Sequence, residues 1–205
     1  MRLHEALNQI AEIHSHLARV EVYRGFRSLP VALSGLCGLV AAVAQARGWT
    51  PTDGRPLVIY WTMVSLVSAA VGGCEIAYNY IWRDGDLARR RTRRVLAQFV
   101  PCLAAGIAVT YALARLEGWG TDLLPGLWAL LFGLGIFAAR PFLPRAIGWV
   151  ALSYLVAGAV LLAQAEGVDY FEGWRVGVTF AVGQTACALV LYWNLERSHE
   201  PHASA

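Results

Sequence analysis

Six long runs of apolar residues, separated by short polar segments, dominate the sequence. An α-helix rises about 1.5 Å per residue and the hydrocarbon core of a bilayer is about 30 Å thick, so most of the runs are long enough to cross it. Because lipid offers no hydrogen bonds, each run is expected to be a helix, which satisfies its own backbone. The pattern predicts an all-α membrane protein with six transmembrane helices. The runs are approximately Leu29–Ala46, Leu57–Trp82, Phe99–Ala114, Leu123–Phe137, Ile147–Ala165 and Val176–Tyr192.

Composition and segment lengths leave no room for a separate soluble domain. Of the 205 residues, 57% are apolar and 15% are charged. The segments between the runs are too short to fold alone. We therefore expect a six-helix bundle over 28–197, preceded by an amphipathic N-terminal helix over 1–27 and followed by a disordered tail over 198–205. Consecutive runs form three tandem helical hairpins, at about 29–82, 97–140 and 145–195.

Arginine predicts the orientation, because the chain contains no lysine. With the N-terminus inside, 13 of the 17 basic residues fall in inner segments. Such an excess marks the cytoplasmic side of a membrane protein, so both termini are predicted to be cytoplasmic. The expected location is the bacterial cytoplasmic membrane. The four outer exceptions are Arg47, Arg55, Arg115 and Arg175.

The densest basic block, "RDGDLARRRTRR" from Arg83, lies between the second and third runs. A basic cluster beside membrane helices typically contacts anionic lipid headgroups, and nucleic acid is not an expected partner. The candidate headgroup contacts are Arg89, Arg90, Arg91, Arg93 and Arg94.

An internal repeat links the first and fifth runs. The segment "VALSGLCGLVAAVAQARG" from Val31 aligns without a gap with "VALSYLVAGAVLLAQAEG" from Val150, and nine of the eighteen positions are identical. A fainter echo relates "ALARLEGW" at Ala112 to "AVAQARGW" at Ala42. The hairpins are therefore interpreted as parallel repeats, related by an axis along the membrane normal. The alternative is that spans rich in Ala, Leu and Gly resemble one another by composition.

The segment before the first run has a narrow apolar stripe of helical period. Three interpretations stay open: the helix lies in the inner interface, docks on the cytoplasmic end of the bundle, or pairs with a second copy. Small residues at four-residue spacing on the first run, from Ser34 to Ala42, also favour close helix contacts. The chain is therefore expected to form a homo-oligomer. The stripe consists of Leu3, Ala6, Ile10, Ile13, Leu17 and Val20.

A single carboxylate, Glu75, interrupts the second run. A polar stripe that includes it cannot face lipid at low cost, so it is expected to face the bundle, with Glu75 about 10 Å inside the cytoplasmic boundary. One interpretation is an inward-opening polar pocket. The other is a structural ion pair with Arg140 or Arg145. The candidate pocket residues are Ser65, Ser68, Glu75 and Asn79 on the stripe, with Gln98, Gln184 and Asn194 from other spans.

Signals for catalysis or metal binding are few. The sequence has no phosphate-binding glycine loop, no zinc-protease motif and no nucleophile elbow. All five histidines lie outside the spans, and the four cysteines lie inside them without Cys-x-x-Cys spacing. No metal, no cofactor and no catalytic residue is predicted, and an enzyme is the less favoured class.

The run "LPGLWALLFGLGIFAARPFLPRAIGWVALSYLVAG" resembles small six-helix bacterial integral membrane proteins of unassigned function. The resemblance covers mainly the last two hairpins and implies no functional residues. Two function classes therefore remain. The favoured one is a regulatory or scaffold membrane protein that binds a partner or lipid at its cytoplasmic face. The alternative is a small-solute or proton-coupled transporter or channel that uses the pocket around Glu75.

Overall fold

A computed structural model describes residues 27–51, 54–83, 85–115, 120–165 and 173–197, and the regular structure in these ranges is entirely helical. The predicted N-terminal helix over 1–27, apart from its last residue, and the predicted tail over 198–205 lie outside these residues. Short 3₁₀ turns flank the fourth helix, and π-helical turns extend the second and the sixth. The helices are α1 (Ser28–Ala46), α2 (Gly54–Tyr78), α3 (Asp86–Arg115), α4 (Leu124–Ala139), α5 (Ile147–Ala163) and α6 (Gly173–Leu191).

The predicted membrane-spanning character is confirmed for five of the six helices in the described part of the chain. With their short extensions, α1, α2, α3, α4 and α6 are long and apolar enough to cross a bilayer. Helix α5 is apolar but has only 17 residues, a length of about 25 Å. It is the shortest of the six helical segments once the 3₁₀ turns that flank α4 are counted with that helix.

The third helix is much longer than its apolar run. It begins at Asp86 rather than near Phe99, so most of the arginine block belongs to a helix and not to a loop. Arginine, alanine and leucine favour helices, and an acidic first residue complements the helix dipole. Two residues of the extension, Thr92 and Val95, are buried, and Val95 packs with Ala139 at the end of α4 and with Phe142 of the 3₁₀ turn that follows. Hydropathy does not detect this extension because its exposed side is charged.

Helix pairing is uneven around the bundle. The most extensive contacts join α1 to α6 and α4 to α5, followed by α3 with α4 and α1 with α2. Smaller contacts join α5 and α4 to α6, whereas α2 and α3 touch each other little. The helices thus follow the order α2, α1, α6, α5, α4, α3, and the two helices that end this order share only a small contact.

Glycine allows the two tightest pairs to form. At the α1–α6 contact, a Cβ on Gly177 would lie 2.9 Å from the carbonyl oxygen of Gly38. At the α4–α5 contact, a Cβ on Gly126 would lie 2.9 Å from the carbonyl oxygen of Gly158. Larger side chains would force both helix pairs apart. Close backbone approach through small residues is the usual basis of helix association in lipid.

Two apolar clusters form most of the core. One lies at the end of the bundle that holds Trp61, here called the Trp61 end, and combines α1, α2, α4 and α6. The other lies further along, around an aromatic group in which the ring of Phe132 has Phe99, Tyr154 and Phe180 at centroid distances of 5.1–5.4 Å. Most arginines of the described residues lie at the other end of the bundle, here called the arginine end.

Candidate functional site

Glu75 forms an ion pair, but with an arginine that the sequence did not single out. Its Oε1 lies 3.3 Å from Nε of Arg27, the residue immediately before α1. The proposed alternatives are placed differently: the guanidinium of Arg140 lies 5.8 Å from the ring centroid of Phe137, and Arg145 is exposed. The ion pair joins the two helices of the first hairpin.

The Arg27 contact also shows the level of Glu75 along the bundle, relative to the start of α1. Together with its π-helical turn, α2 runs from Gly54 to Arg83, 30 residues, which is about 45 Å long. It extends eight residues, or about 12 Å, beyond Glu75, whereas α1 begins level with the ion pair. Glu75 therefore lies level with the start of α1. Its depth relative to the membrane boundary, which the sequence places about 10 Å inside the end of the apolar run, stays a prediction.

The polar stripe on α2 faces α1 over part of its length. The hydroxyl of Ser68 donates to the carbonyl oxygen of Ser34 at 3.5 Å, and Gly72 and Asn79 are half-buried on the same side. Ser65 is exposed, and its hydroxyl donates to the carbonyl of Thr62 within its own helix. The stripe therefore contributes polar contacts to the α1–α2 pair.

The three pocket candidates from other helices are spread over the bundle. Gln184 lies at the α1–α6 contact, where its Cβ is 2.9 Å from the position of a Cβ on Gly35. Gln98 is exposed on α3. Asn194 is exposed in the π-helical turn and donates to the carbonyl oxygen of Val190 at 2.8 Å. A common pocket around Glu75 stays a prediction.

Arg89 has a local structural contact. Its Nε donates to the carbonyl oxygen of Tyr80 at 2.8 Å, and its Nη2 donates to that of Ile81 at 3.0 Å. These carbonyls belong to the π-helical turn at the end of α2, where backbone acceptors lack helical partners. Arg89 thus ties the start of α3 to the end of α2, and it is half-buried.

Three other arginines of the block form an exposed basic face on α3. Arg90, Arg93 and Arg94 are exposed, and their spacing of three and four residues places them on one side of the helix. Like charges at this spacing destabilise an isolated helix by roughly 0.2–0.5 kcal/mol per pair. Asp86, also exposed, is the nearest acid on this side. A bound anion with several oxygens would relieve the repulsion. These three residues are called the arginine face below.

Exposed aromatic side chains mark both ends of the bundle. At the arginine end, Trp82 and Trp149 are each 75% exposed, and Arg197 lies 4.1 Å from the ring centroid of Trp193. At the other end, Trp49 is 77% exposed, and Arg175 lies 5.9 Å from the ring centroid of Trp174. Aromatic rings and arginines of this kind are typical of the two interfaces of a bilayer. Their positions agree with helices that cross a membrane.

A buried polar contact at the Trp61 end was missed by the sequence analysis. The indole Nε1 of Trp61 donates to Oε1 of Gln45 at 2.9 Å, and both residues are buried. A Cβ on Gly173 would collide with the same amide, so the contact depends on a glycine in α6. The signal was present, since Gln45 is the amide in the repeated Ala-Gln-Ala. It was read as evidence for the repeat rather than as a buried group.

The Trp61 end is also filled by apolar side chains. Leu57, Trp61 and Leu124 are each at most 2% exposed and belong to one cluster with Val176. Leu113 of α3 packs against the same cluster. Five helices therefore converge at this end around apolar side chains.

Comparison with known proteins finds no match: no family model, no curated protein and no solved structure is significantly similar to the chain. In the described ranges, no three His, Cys, Asp or Glu side chains are grouped so that they could hold a metal ion. The interpretation of function therefore depends on the geometry of the two ends.

Proposed function

We propose that the chain is a non-enzymatic regulatory or scaffold protein of the membrane, which binds anionic lipid headgroups through the arginine face. The observation that carries the proposal is the exposure of Arg90, Arg93 and Arg94 on one side of α3. Each guanidinium presents several N–H donors in a fork that matches phosphate oxygens. A partner protein with an acidic surface is a second ligand of the same chemistry.

The proposed orientation places the arginine end in the cytoplasm of a bacterial cell. Most of the described arginines lie at this end, and the positive-inside rule then predicts cytoplasmic termini. Cytoplasmic leaflets carry anionic lipids, and each arginine near such a surface contributes about 1 kcal/mol of attraction. The orientation and the lipid contact therefore support each other.

The transporter alternative receives less support. A permeation path from Glu75 would have to pass the Trp61 end, where Leu57, Trp61 and Leu124 are buried in the apolar cluster. The pairing of Glu75 with Arg27, at the start of α1, also accounts for the carboxylate without a transported ion. A scaffold needs neither a path nor a proton carrier.

Three tandem hairpins and a homo-oligomer are part of the proposal. Two features support the repeat. Ser34 and Ser153 occupy equivalent repeat positions, and their hydroxyls donate to the carbonyls of Val31 and Val150 at 2.7 and 2.8 Å. In addition, the second helix of one hairpin packs on the first helix of another in the α4–α5 and α6–α1 pairs. The equivalent α2–α3 pair is the loose one.

Thermal unfolding of the purified chain in mixed micelles tests the proposal. A ligand that binds only the folded chain stabilises it by RT ln(1 + [L]/Kd), about 2.7 kcal/mol at a concentration 100 times Kd. We expect added phosphatidylglycerol to raise the melting temperature and phosphatidylcholine with the same acyl chains to have little effect. High salt should reduce the difference, because exposed charges are screened.

A charge-matched control separates the arginine face from net charge. The triple variant Arg90→Gln, Arg93→Gln, Arg94→Gln should lose most of the response to phosphatidylglycerol. Removing three arginines from the other end, in Arg47→Gln, Arg55→Gln, Arg115→Gln, should preserve it. Equal loss in both variants, or an equal response of the native chain to both lipids, would refute the proposal.

A further inference from the structure

The contact between α2 and α3 is tied at both ends and open between them. At the Trp61 end, Trp61 of α2 and Leu113 of α3 join the same apolar cluster. At the arginine end, Arg89 of α3 donates to the carbonyl oxygen of Tyr80. Between these points, a Cβ on Gly73 would have no neighbouring helix or side chain within 4 Å. We call this opening the α2–α3 groove.

The residues that border the groove are inferred from the helical period, counted from the Arg89–Tyr80 contact. Residues three or four apart share a face of a helix, so the bordering residues follow from these two positions. The α3 side is exposed along its length: Val100, Leu103 and Ile107 have exposed fractions of 50%, 40% and 68%. The groove is therefore apolar on α3 and lined by small residues on α2. Counted in this way, the bordering residues are Ala69, Gly73 and Ile76 on α2, and Arg93, Val100, Leu103 and Ile107 on α3.

The dimensions of the groove match one lipid chain in one leaflet. The ten helical rises from Arg93 to Leu103 span about 15 Å, which is half the thickness of a bilayer's hydrocarbon core. The polar end of this span is Arg93, which belongs to the arginine face with Arg90 and Arg94. Basic side chains at the end of an apolar groove of this length are complementary to an anionic phospholipid in shape and in charge.

We propose that the α2–α3 groove holds an acyl chain of an anionic phospholipid whose phosphate is bound by Arg90, Arg93 and Arg94. The inference rests on the proposed function and adds a defined site to it. The glycine and alanine on α2 leave room for the chain, while the three guanidinium groups fix the headgroup. The bound lipid fills the α2–α3 groove, which the protein's own side chains leave open.

Charge argues against the two other occupants of the groove. An isologous contact with a second copy would bring two arginine faces together, and like charges repel. The N-terminal segment carries charged residues of both signs, among them Glu12 and Arg19, and charged groups at hydrocarbon depth are expensive. An anionic lipid avoids both costs, because its phosphate attracts the arginines and its acyl chain carries no charge.

Filling the groove with a side chain tests the site. The full chain is incubated with equal amounts of phosphatidylglycerol and phosphatidylcholine of identical acyl chains, and bound lipid is counted by native mass spectrometry. Gly73→Leu should lower phosphatidylglycerol retention about tenfold, because the added side chain overpacks the space that the acyl chain fills. The control Cys74→Leu places the same side chain at an exposed position on another face of the same helix, about 100° away from Gly73, and should retain the lipid.

Three results would overturn the site. Unchanged phosphatidylglycerol retention in Gly73→Leu shows that the acyl chain lies elsewhere, although the arginine face can still bind headgroups. Retained lipid with a lower oligomeric state assigns the groove to a second copy. A native chain without preference for phosphatidylglycerol removes both the site and the proposed function. If Gly73→Leu does not fold, a phosphatidylglycerol with a photoreactive acyl chain decides: labelling of 69–80 or 96–107 supports the site, and labelling elsewhere contradicts it.

Discussion

The α1–α6 contact and the α2–α3 groove use glycine in opposite ways. Gly177 lies where a Cβ would collide with Ala42 and approach the carbonyl of Gly38, so its missing side chain permits the contact. Gly73 also lies within a helix, yet nothing from another helix lies within 4 Å of the position that its Cβ would take. The comparison teaches that small residues along a membrane helix permit contact without specifying where it forms.

The physical reason is that lipid competes with protein for apolar surface. Helix association in lipid depends on shape and on polar contacts, since lipid tails are as apolar as leucine. The α1–α2 pair is held by the Trp61–Gln45 hydrogen bond and the Arg27–Glu75 ion pair. The groove has such a contact at one end only, from Arg89. A pair without internal polar contacts can exchange one helix for a lipid chain.

The largest effect is expected from adding the same side chain at the two glycines. Gly177→Leu should lower the free energy of unfolding by about 3 kcal/mol, because the collision involves backbone and Cβ atoms that cannot rotate away. Gly73→Leu should raise the free energy of unfolding by less than about 1 kcal/mol, because leucine has a higher helix propensity than glycine. Chemical denaturation in detergent measures both. Equal losses would show that α2 and α3 are as closely packed as α1 and α6.

The next effect concerns the polar contact of the closed region. Trp61→Phe keeps an aromatic ring but leaves the amide of Gln45 without its buried donor, which should cost about 1–3 kcal/mol. The double variant Trp61→Phe, Gln45→Leu removes both partners and should recover part of the loss. Melting temperatures of the four proteins in this cycle give the coupling. Additive losses would mean that water replaces the indole.

The sequence predicted the all-α class and the helix positions from hydropathy alone, because a segment that crosses lipid must be long and apolar. It missed the extension of α3 to Asp86, since charged helical turns resemble loops in hydropathy. The ion pair that it offered as one of two interpretations of Glu75 named Arg140 or Arg145 as the partner, whereas the partner is Arg27. Which helices contact each other depends on the shape of each helix face. The sequence alone does not distinguish Gly177, which lies in a helix contact, from Gly73, which does not.

A smaller effect is expected at Glu75. The side chain of Arg27 is 57% exposed, and ion pairs with exposed partners typically contribute about 0.2–1 kcal/mol. Glu75→Gln should therefore lower the free energy of unfolding by no more than this, and Arg27→Gln should have a similar effect. Denaturation at low and high salt checks both variants. A loss of about 3–5 kcal/mol in Glu75→Gln would instead indicate a buried pair.

The central claim is that the arginine face selects anionic lipid, and the ratio of lipids retained by the chain measures this directly. From an equimolar mixture of phosphatidylglycerol and phosphatidylcholine, native mass spectra of the unmodified chain should show mostly phosphatidylglycerol. The triple variant Arg90→Gln, Arg93→Gln, Arg94→Gln should return the ratio to that of the mixture. The variant Arg47→Gln, Arg55→Gln, Arg115→Gln should keep the preference. An even ratio in the unmodified chain, or a preference that survives the first triple variant, would contradict the claim.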